Sequence, residues 1–423
     1  MPQIAHLSAL EILDSRGRPT VQATCVLASG AQGVVSVPSG ASTGTAEALE
    51  LRDGDPGRYH GLGCRKAIEN VRTTLHNALR GRLFERQRDL DQTLVALDGT
   101  SNKSNLGANA VLAVSLAFGR ASAAERGIPL YRYFAELIIQ PVATLPVPMI
   151  NLFSGGKHAG AQVAVQDVQV MPVSARTVDE ALAMTYSIFQ AAADLTYREM
   201  GMRVLTADEG GLAPPFPSSE AMIETAVRSI EAAQLTPGRD AVLTVDVAAS
   251  HFYREGRYHL ENETLDGRAM IECLTMWLDR YPVVSIEDGL AEEDWDHWRI
   301  FCNNVGQRSM VMGDDLLCTN PGRIQKAITL KAANALLLKV NQIGTLTEAA
   351  EAYTLAKTAG WQVTVSARSG ETEDHWLADL AVGWSGDYIK VGSITQSERL
   401  AKYNRLLAIE AETALPLANR IVP

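Results

Sequence analysis

Six short apolar runs in the second half of this 423-residue sequence each lead into a side chain that can hold a metal, move a proton or grip an anion. Asp246 closes AVLTVD, Glu287 closes PVVSIE, Asp314 closes SMVMGD and Lys339 closes NALLLK, while Arg368 follows WQVTVSA and Lys390 lies within DYIKVGS. Three carboxylates delivered by separate strands make an all-oxygen donor set, which suits a hard dication, with Mg²⁺ the default. One such acid alone would read as a helix cap or a surface charge; the repetition carries the inference. The His and Cys ligands that zinc prefers do not accompany them.

A lysine at the end of the next strand, beside a dication, is a candidate general base, because burial and nearby positive charge both lower the proton affinity of an amine. A plain ion pair is the commoner role for a lone buried lysine. Ala207-Asp208-Glu209-Gly210-Gly211 offers a second acid, and its paired glycines let the backbone approach a ligand closely. Arg368, Ser369 and Lys390 together read as a clamp for phosphate or carboxylate oxygens. Base, acid, dication and clamp point to removal of a proton beside a carboxylate, followed by loss of water.

Such groups converge only if a scaffold brings them to one place. Short apolar runs alternating with segments of helical spacing (Leu182, Tyr186, Phe189, Ala193) predict a parallel β/α barrel over about 250–280 residues, whose C-terminal strand ends form the site. A doubly wound sheet is disfavoured, since no G-x-G-x-x-G follows the first strand of this region. Before the barrel, strand-like segments at Ala5–Leu13, Thr20–Leu27 and Gly33–Val37 precede a helix running from about Asn109 to a stop at Gly127 and Pro129. The expected division is an N-terminal α+β domain, a three-stranded meander plus helices over 1–138, and a catalytic β/α barrel over 139–423. The Pro-bearing stretch Ile139–Met149 reads as the crossing between them.

A hydrophobic content of 46% with 21% charged residues is that of a globular protein, and a net charge of −11 argues against nucleic acid or an anionic membrane as partner. An odd set of five cysteines without a C-x-x-C pair predicts reduced thiols and a cytoplasmic location. The N-terminal MPQIAHLSALEILDSRG lacks the basic-then-apolar pattern of a signal peptide, and no stretch approaches the length of a membrane span.

Longer collinear motifs are also present: ILDSRGRPTVQA, VPSGASTGTAEALELRDGD and NKSNLGANAVLAVSLA in the first part, then LPVPMINLFSGGKHAG, ADEGGLAP, VDVAAS, PVVSIEDGL, MGDDL, LLLKVNQIGTLTE, SARSGETED and IKVGS. Over nearly its whole length the chain resembles the enolases. The resemblance implies an enolase-type barrel, a hydro-lyase activity, a homodimer and two Mg²⁺ per site, in line with the established pattern of a Lys or His base and Mg²⁺ in enolase-type sites. It implies Asp246, Glu287 and Asp314 as ligands of the first Mg²⁺ and Ser42 as ligand of the second. Lys339 would then be the base, Glu209 the acid, His158 the loop histidine beside a phosphoryl group, and Gln166, Arg368, Ser369 and Lys390 substrate-binding residues. The SGASTG and SGGKHAG segments would be lids.

Two positions depart from the enolase pattern inside the implied pocket: Asp167 stands where a glutamate is usual, and Ala367 where a histidine is usual. Ser154, Val168 and Ala207 are lesser departures. Asp167 withdraws a charge by one methylene, and a misplacement of ~1 Å can cost a catalytic group roughly a hundredfold. Elimination machinery kept in a pocket with less bulk predicts a phosphorus-containing anionic substrate carrying something extra. One such substrate is 2-phosphonoformylglycerate, converted to carboxyphosphonoenolpyruvate by enolase-like enzymes of phosphinate biosynthesis, with Lys157 assisting. Ordinary dehydration of 2-phosphoglycerate to phosphoenolpyruvate is the alternative, and a non-catalytic binding protein a third.

Overall fold

The computed structural model describes residues 1–41, 44–201, 203 and 205–418. The chain begins with an antiparallel meander of β1 (Ile4–Leu13), β2 (Pro19–Leu27) and β3 (Gln32–Ser36). Alternating burial along β2 turns one face of this sheet inward, and the helix Ala108–Glu125 packs on it. That helix, apolar almost all round, is buried along nearly its whole length, as expected of a helix enclosed on every side. Gly33 is the contact point: a Cβ there would lie 2.1 Å from the carbonyl oxygen of Ala117, so the strand and helix backbones meet directly. These elements match the expected meander and helix to within a few residues.

The second part is a closed eight-stranded barrel. Its strands are β4 (Val147–Ser154), β5 (Asp167–Met171) and β6 (Val242–Asp246), followed by β10 (Val283–Glu287), β11 (Met310–Gly313), β12 (Ala335–Leu338), β13 (Gln362–Ser366) and β14 (Tyr388–Gly392). Between β6 and β10 lies a small antiparallel sheet of β7 (Tyr253–Arg254), β8 (Arg257–Leu260) and β9 (Glu263–Leu265), which the sequence reading did not anticipate. The start of the first barrel strand, Val147–Met149, falls within the expected crossing, because Pro146 and Pro148 look like linker residues. The barrel strands are buried on both faces, and five of the helices that follow them begin on side-chain caps from Thr177, Ser218, Asp266, Asn320 and Thr345.

One expectation needs correction. The barrel is not wholly parallel, because β5 pairs antiparallel with both β4 and β6. A parallel return requires a crossover of a dozen or more residues, usually helical. The link from Ser154 to Asp167 contains only the short 3-10 turn Gly156–Ala159, so β5 comes straight back as a hairpin. No helix among the described residues is long and apolar enough to cross a membrane, and the five cysteines are free.

Candidate active site

The reversal of β5 places its first residue, Asp167, opposite Asp246, the last residue of β6. On the other side of β6, Asp246 is in register with Glu287 at the end of β10, and Glu287 pairs with Met312, two residues before Asp314. Three acids therefore stand on adjacent strands at one mouth. Two lysines lie among them. Lys390 Nζ donates to Asp246 Oδ2 at 2.9 Å and to both Glu287 oxygens at 2.8 and 2.6 Å. Lys339 Nζ donates to Asp314 Oδ2, whose other oxygen accepts from Gln342 Nε2 at 2.8 Å.

All five groups are buried. Burial pushes the Glu287 carboxyl well up, and the neighbouring Asp246 charge pushes it further. Burial alone would lower both lysines. At Lys339 the charges of Asp314 and Glu287 together overcome it and raise that amine, and Asp246 with Glu287 raises Lys390 well above its ordinary value. Among protein groups alone, Lys339 is thus a held ammonium and not the depressed amine the sequence argument expected; its proton affinity is set by its contact with Asp314.

Glu209 sits on the Ala207–Gly211 turn, which is tied to the end of β14 through Ser393 N–H donating to the Glu209 carbonyl at 2.9 Å. Its carboxylate accepts from Asn151 Nδ2 at 3.0 Å and faces His158 Nε2 at 3.9 Å. Burial would raise Glu209, but the positive charges of His158, Arg399, Lys390 and Lys339 together hold it below the ordinary carboxylate range. His158, on the hairpin turn between β4 and β5, has Nδ1 3.1 Å from Asp167 Oδ2, and Ser154 Oγ donates to Asp167 Oδ1 at 2.5 Å. Burial works against protonation of His158, yet Glu209 and Asp167 carry it up to about 9. The hairpin thus holds a cation between two acids.

A small cavity of about 20 Å³ opens onto these groups. Its wall includes His158, Gln166, Glu209, Asp246, Lys339 and Lys390, together with Ala367, Arg368 and Ser369. Glu287, Asp314 and Asp167 lie one layer back, each bonded to a residue of the wall. Ala41, from the N-terminal domain, completes it. The adjacent Ser42 lies outside the described residues.

Two groups of side chains bring metal-capable atoms within 4.8 Å of one another: His158, Asp167 and Glu209, and Asp288, Asp314 and Asp315. In the second, Asp288 is already engaged, accepting from the backbone N–H of Asp314 at 3.0 Å and of Asp315 at 2.7 Å. The expected triad of Asp246, Glu287 and Asp314 is not one of these groups, its carboxylates being bonded to Lys390 and Lys339. It offers oxygen donors only, as a hard dication requires, and Gln166 Oε1 beside it is a buried acceptor with no partner among the described residues.

Several of the cavity's supports carry no mark in the sequence. Asn151 beside Glu209 and Gln342 beside Asp314 carry no charge and no motif signal. Asp288 and Asp315 follow the expected ligands directly in IED and GDD, and that adjacency was the one available clue. Arg399, fully buried, donates to the carbonyls of Arg368 at 2.7 Å, Ser369 at 2.6 Å and Val391 at 3.0 Å, far from any motif.

Comparison with known families is consistent with this architecture. Residues 4–134 match the enolase N-terminal domain, and residues 142–417 match the enolase C-terminal TIM barrel domain. With both domain models matched in order along most of its length, the chain belongs to the enolase family.

Proposed function

We propose that this protein is an Mg²⁺-dependent hydro-lyase that removes the C2 proton of a 2-phosphoglycerate-like acid and expels the C3 hydroxyl as water. The substrate in this reading is 2-phosphonoformylglycerate and the product carboxyphosphonoenolpyruvate, an intermediate of phosphonate and phosphinate natural-product synthesis. The observation that carries the reaction type is the gathering of Lys339, Glu209 and Arg368 on one small cavity backed by oxygen donors.

In this reading Lys339 Nζ takes the C2 proton, and the electron pair left behind becomes the C2–C3 double bond as the C3–O bond breaks. Glu209, ionised among its cationic neighbours, must first take up a proton, for which His158 Nε2–H stands 3.9 Å away, and then delivers it so that the hydroxyl departs as water. Arg368 and Ser369 hold the phosphorus group and Gln166 orients the substrate. His158, fixed by Asp167, offers Nε2–H from the hairpin. Asp246, Glu287 and Asp314 would hold one Mg²⁺ and Ser42 a second; when bound, these ions neutralise the charge that builds on the substrate carboxylate. To act as the base Lys339 must first release the proton it shares with Asp314, and Asp314 would hold that proton less strongly if it were also a metal ligand. The same reading makes the enzyme a cytoplasmic homodimer.

The substrate choice draws its support from the wall of the cavity. Ala367 faces it with a methyl group alone, and Asp167 is drawn back onto Ser154 and His158. In this reading the Ala367 methyl leaves room beside the anion clamp, and the shorter Asp167 leaves room beside His158. The test is an absorbance assay for enolpyruvyl product with Mg²⁺ and each candidate substrate. Turnover of 2-phosphonoformylglycerate is expected. Turnover of 2-phosphoglycerate alone would make the protein an ordinary enolase, and turnover of neither would make it a binding protein. The double change Asp167→Glu with Ala367→His is expected to raise activity on 2-phosphoglycerate; no effect would remove these positions from substrate choice.

A further inference from the structure

The clamp residues Arg368 and Ser369 lie on the barrel, yet two side chains that hold them come from the N-terminal domain. Arg368 is 3% exposed. Glu47 meets it in a two-point contact, Oε2 to Nη1 and Oε1 to Nη2, both at 3.1 Å, and Asn341 Oδ1 accepts from Nη1 at 3.0 Å. A fork-to-fork contact fixes the plane of a guanidinium, whereas one hydrogen bond leaves it free to turn. Glu47 is itself fixed by Gly44 N–H at 3.2 Å and Gln342 Nε2 at 3.3 Å. Gln342 also donates to Asp314, so this one carboxylate lies between the clamp and the acid cluster.

Ser369 receives a parallel contact. Arg16 Nη1 donates to Ser369 Oγ at 2.9 Å, while Arg16 Nη2 is anchored by Asp14 Oδ2 at 2.9 Å and the Ser39 carbonyl at 3.0 Å. Ser39 and Gly370 exchange both backbone hydrogen bonds at 2.9 Å, sewing the domains together beside the clamp. A hydroxyl that accepts from a guanidinium keeps its own hydrogen to donate, and Ser369 lines the cavity. The contact therefore polarises the serine toward an anion.

We infer that Glu47 and Arg16 are positioning residues, which hold Arg368 and Ser369 in the orientation that receives the anionic phosphorus group of the substrate. The inference rests on reading these two residues as the clamp. An acid beside an anion site has two possible effects with opposite signs. If it orients the arginine, removing its charge weakens substrate binding; if it competes with the substrate, removing its charge strengthens binding.

Glu47→Gln keeps the shape of the side chain and Arg16→Lys keeps the charge, so both variants are expected to fold, with thermal midpoints near that of the parent. Steady-state kinetics with Mg²⁺ and whichever substrate the parent turns over should show KM raised roughly tenfold in each, the loss expected for one charge-assisted contact. kcat should change far less, and the inhibition constant of inorganic phosphate should rise in parallel. Glu47→Asp, too short for both contacts, should share the defect. An unchanged or lowered KM in Glu47→Gln overturns the inference, as does a fall in thermal midpoint without a change in KM. Should the parent turn over neither substrate, the functional reading falls separately, and calorimetric titration with inorganic phosphate decides the inference. Weaker phosphate binding by Glu47→Gln than by the parent supports it, and equal binding, or none by either, ends it.

Discussion

His158 is held between Asp167 and Glu209, and this arrangement ties its charge to the folded state. Its proton affinity is raised to about 9 against an ordinary value near 6.5. A group whose folded value is raised contributes stability that is fully present below its unfolded value and is lost as pH rises through the folded one. Denaturant unfolding of the parent and of His158→Gln should therefore differ most near pH 6, with the gap closing between about pH 6.5 and pH 9. A gap that stays constant to pH 10 would mean that His158 is not the cation of this group. Such pairings were only partly legible. Asp246, Glu287, Asp314, Lys339 and Lys390 stand out because each is a charged residue at or near the end of an apolar run. Asn151 and Gln342, which orient two of the central groups, are neutral amides whose partners lie far away in sequence.

At the scale of elements, two glycines separate what builds the fold from what builds the site. Gly33 lets β3 touch the helix Ala108–Glu125, and an added methyl would meet backbone at 2.1 and 2.5 Å. Gly33→Ala should lower stability by about 1–3 kcal/mol, the usual cost of overpacking, while leaving kcat per folded molecule unchanged. Gly392, at the end of β14, has φ +119°, and a Cβ there would lie 2.8 Å from the Glu209 carbonyl and 2.9 Å from Arg399 Cδ. Gly392→Ala should therefore depress kcat as well, by moving the turn that carries Glu209; thermal unfolding alongside turnover distinguishes the two variants, and intact kcat in Gly392→Ala would refute the assignment. Most elements could be read because apolar runs and helical spacing are local signals. The exceptions have physical causes. Pro146 and Pro148 masked the start of β4, and the direction of β5 depends on the absence of a helix between Ser154 and Asp167, which no strand pattern reports. A rule that looks for chemistry where strands stop passes over Gln166 and Asp167, which stand where one begins.

For the whole molecule, buried carboxylates at the mouth make stability depend on what cations are present. Any ligand that binds only the folded chain raises its apparent stability, by about 2.7 kcal/mol at a hundred times the dissociation constant. Mg²⁺ should accordingly raise the thermal midpoint of the chelator-treated protein, and Glu287→Gln should abolish most of the increase. A midpoint indifferent to Mg²⁺ in the parent would count against a metal at this site. The N-terminal domain is also more than a cover, since Ala41, Glu47 and Arg16 reach the cavity or its clamp.

The backward course of β5 has a further consequence. The segment carrying Lys157 and His158 is bounded at both ends by strand and not by helix, so its length can change without shifting any outer helix of the barrel. Exchanging that hairpin tip among family members is therefore expected to leave the scaffold intact.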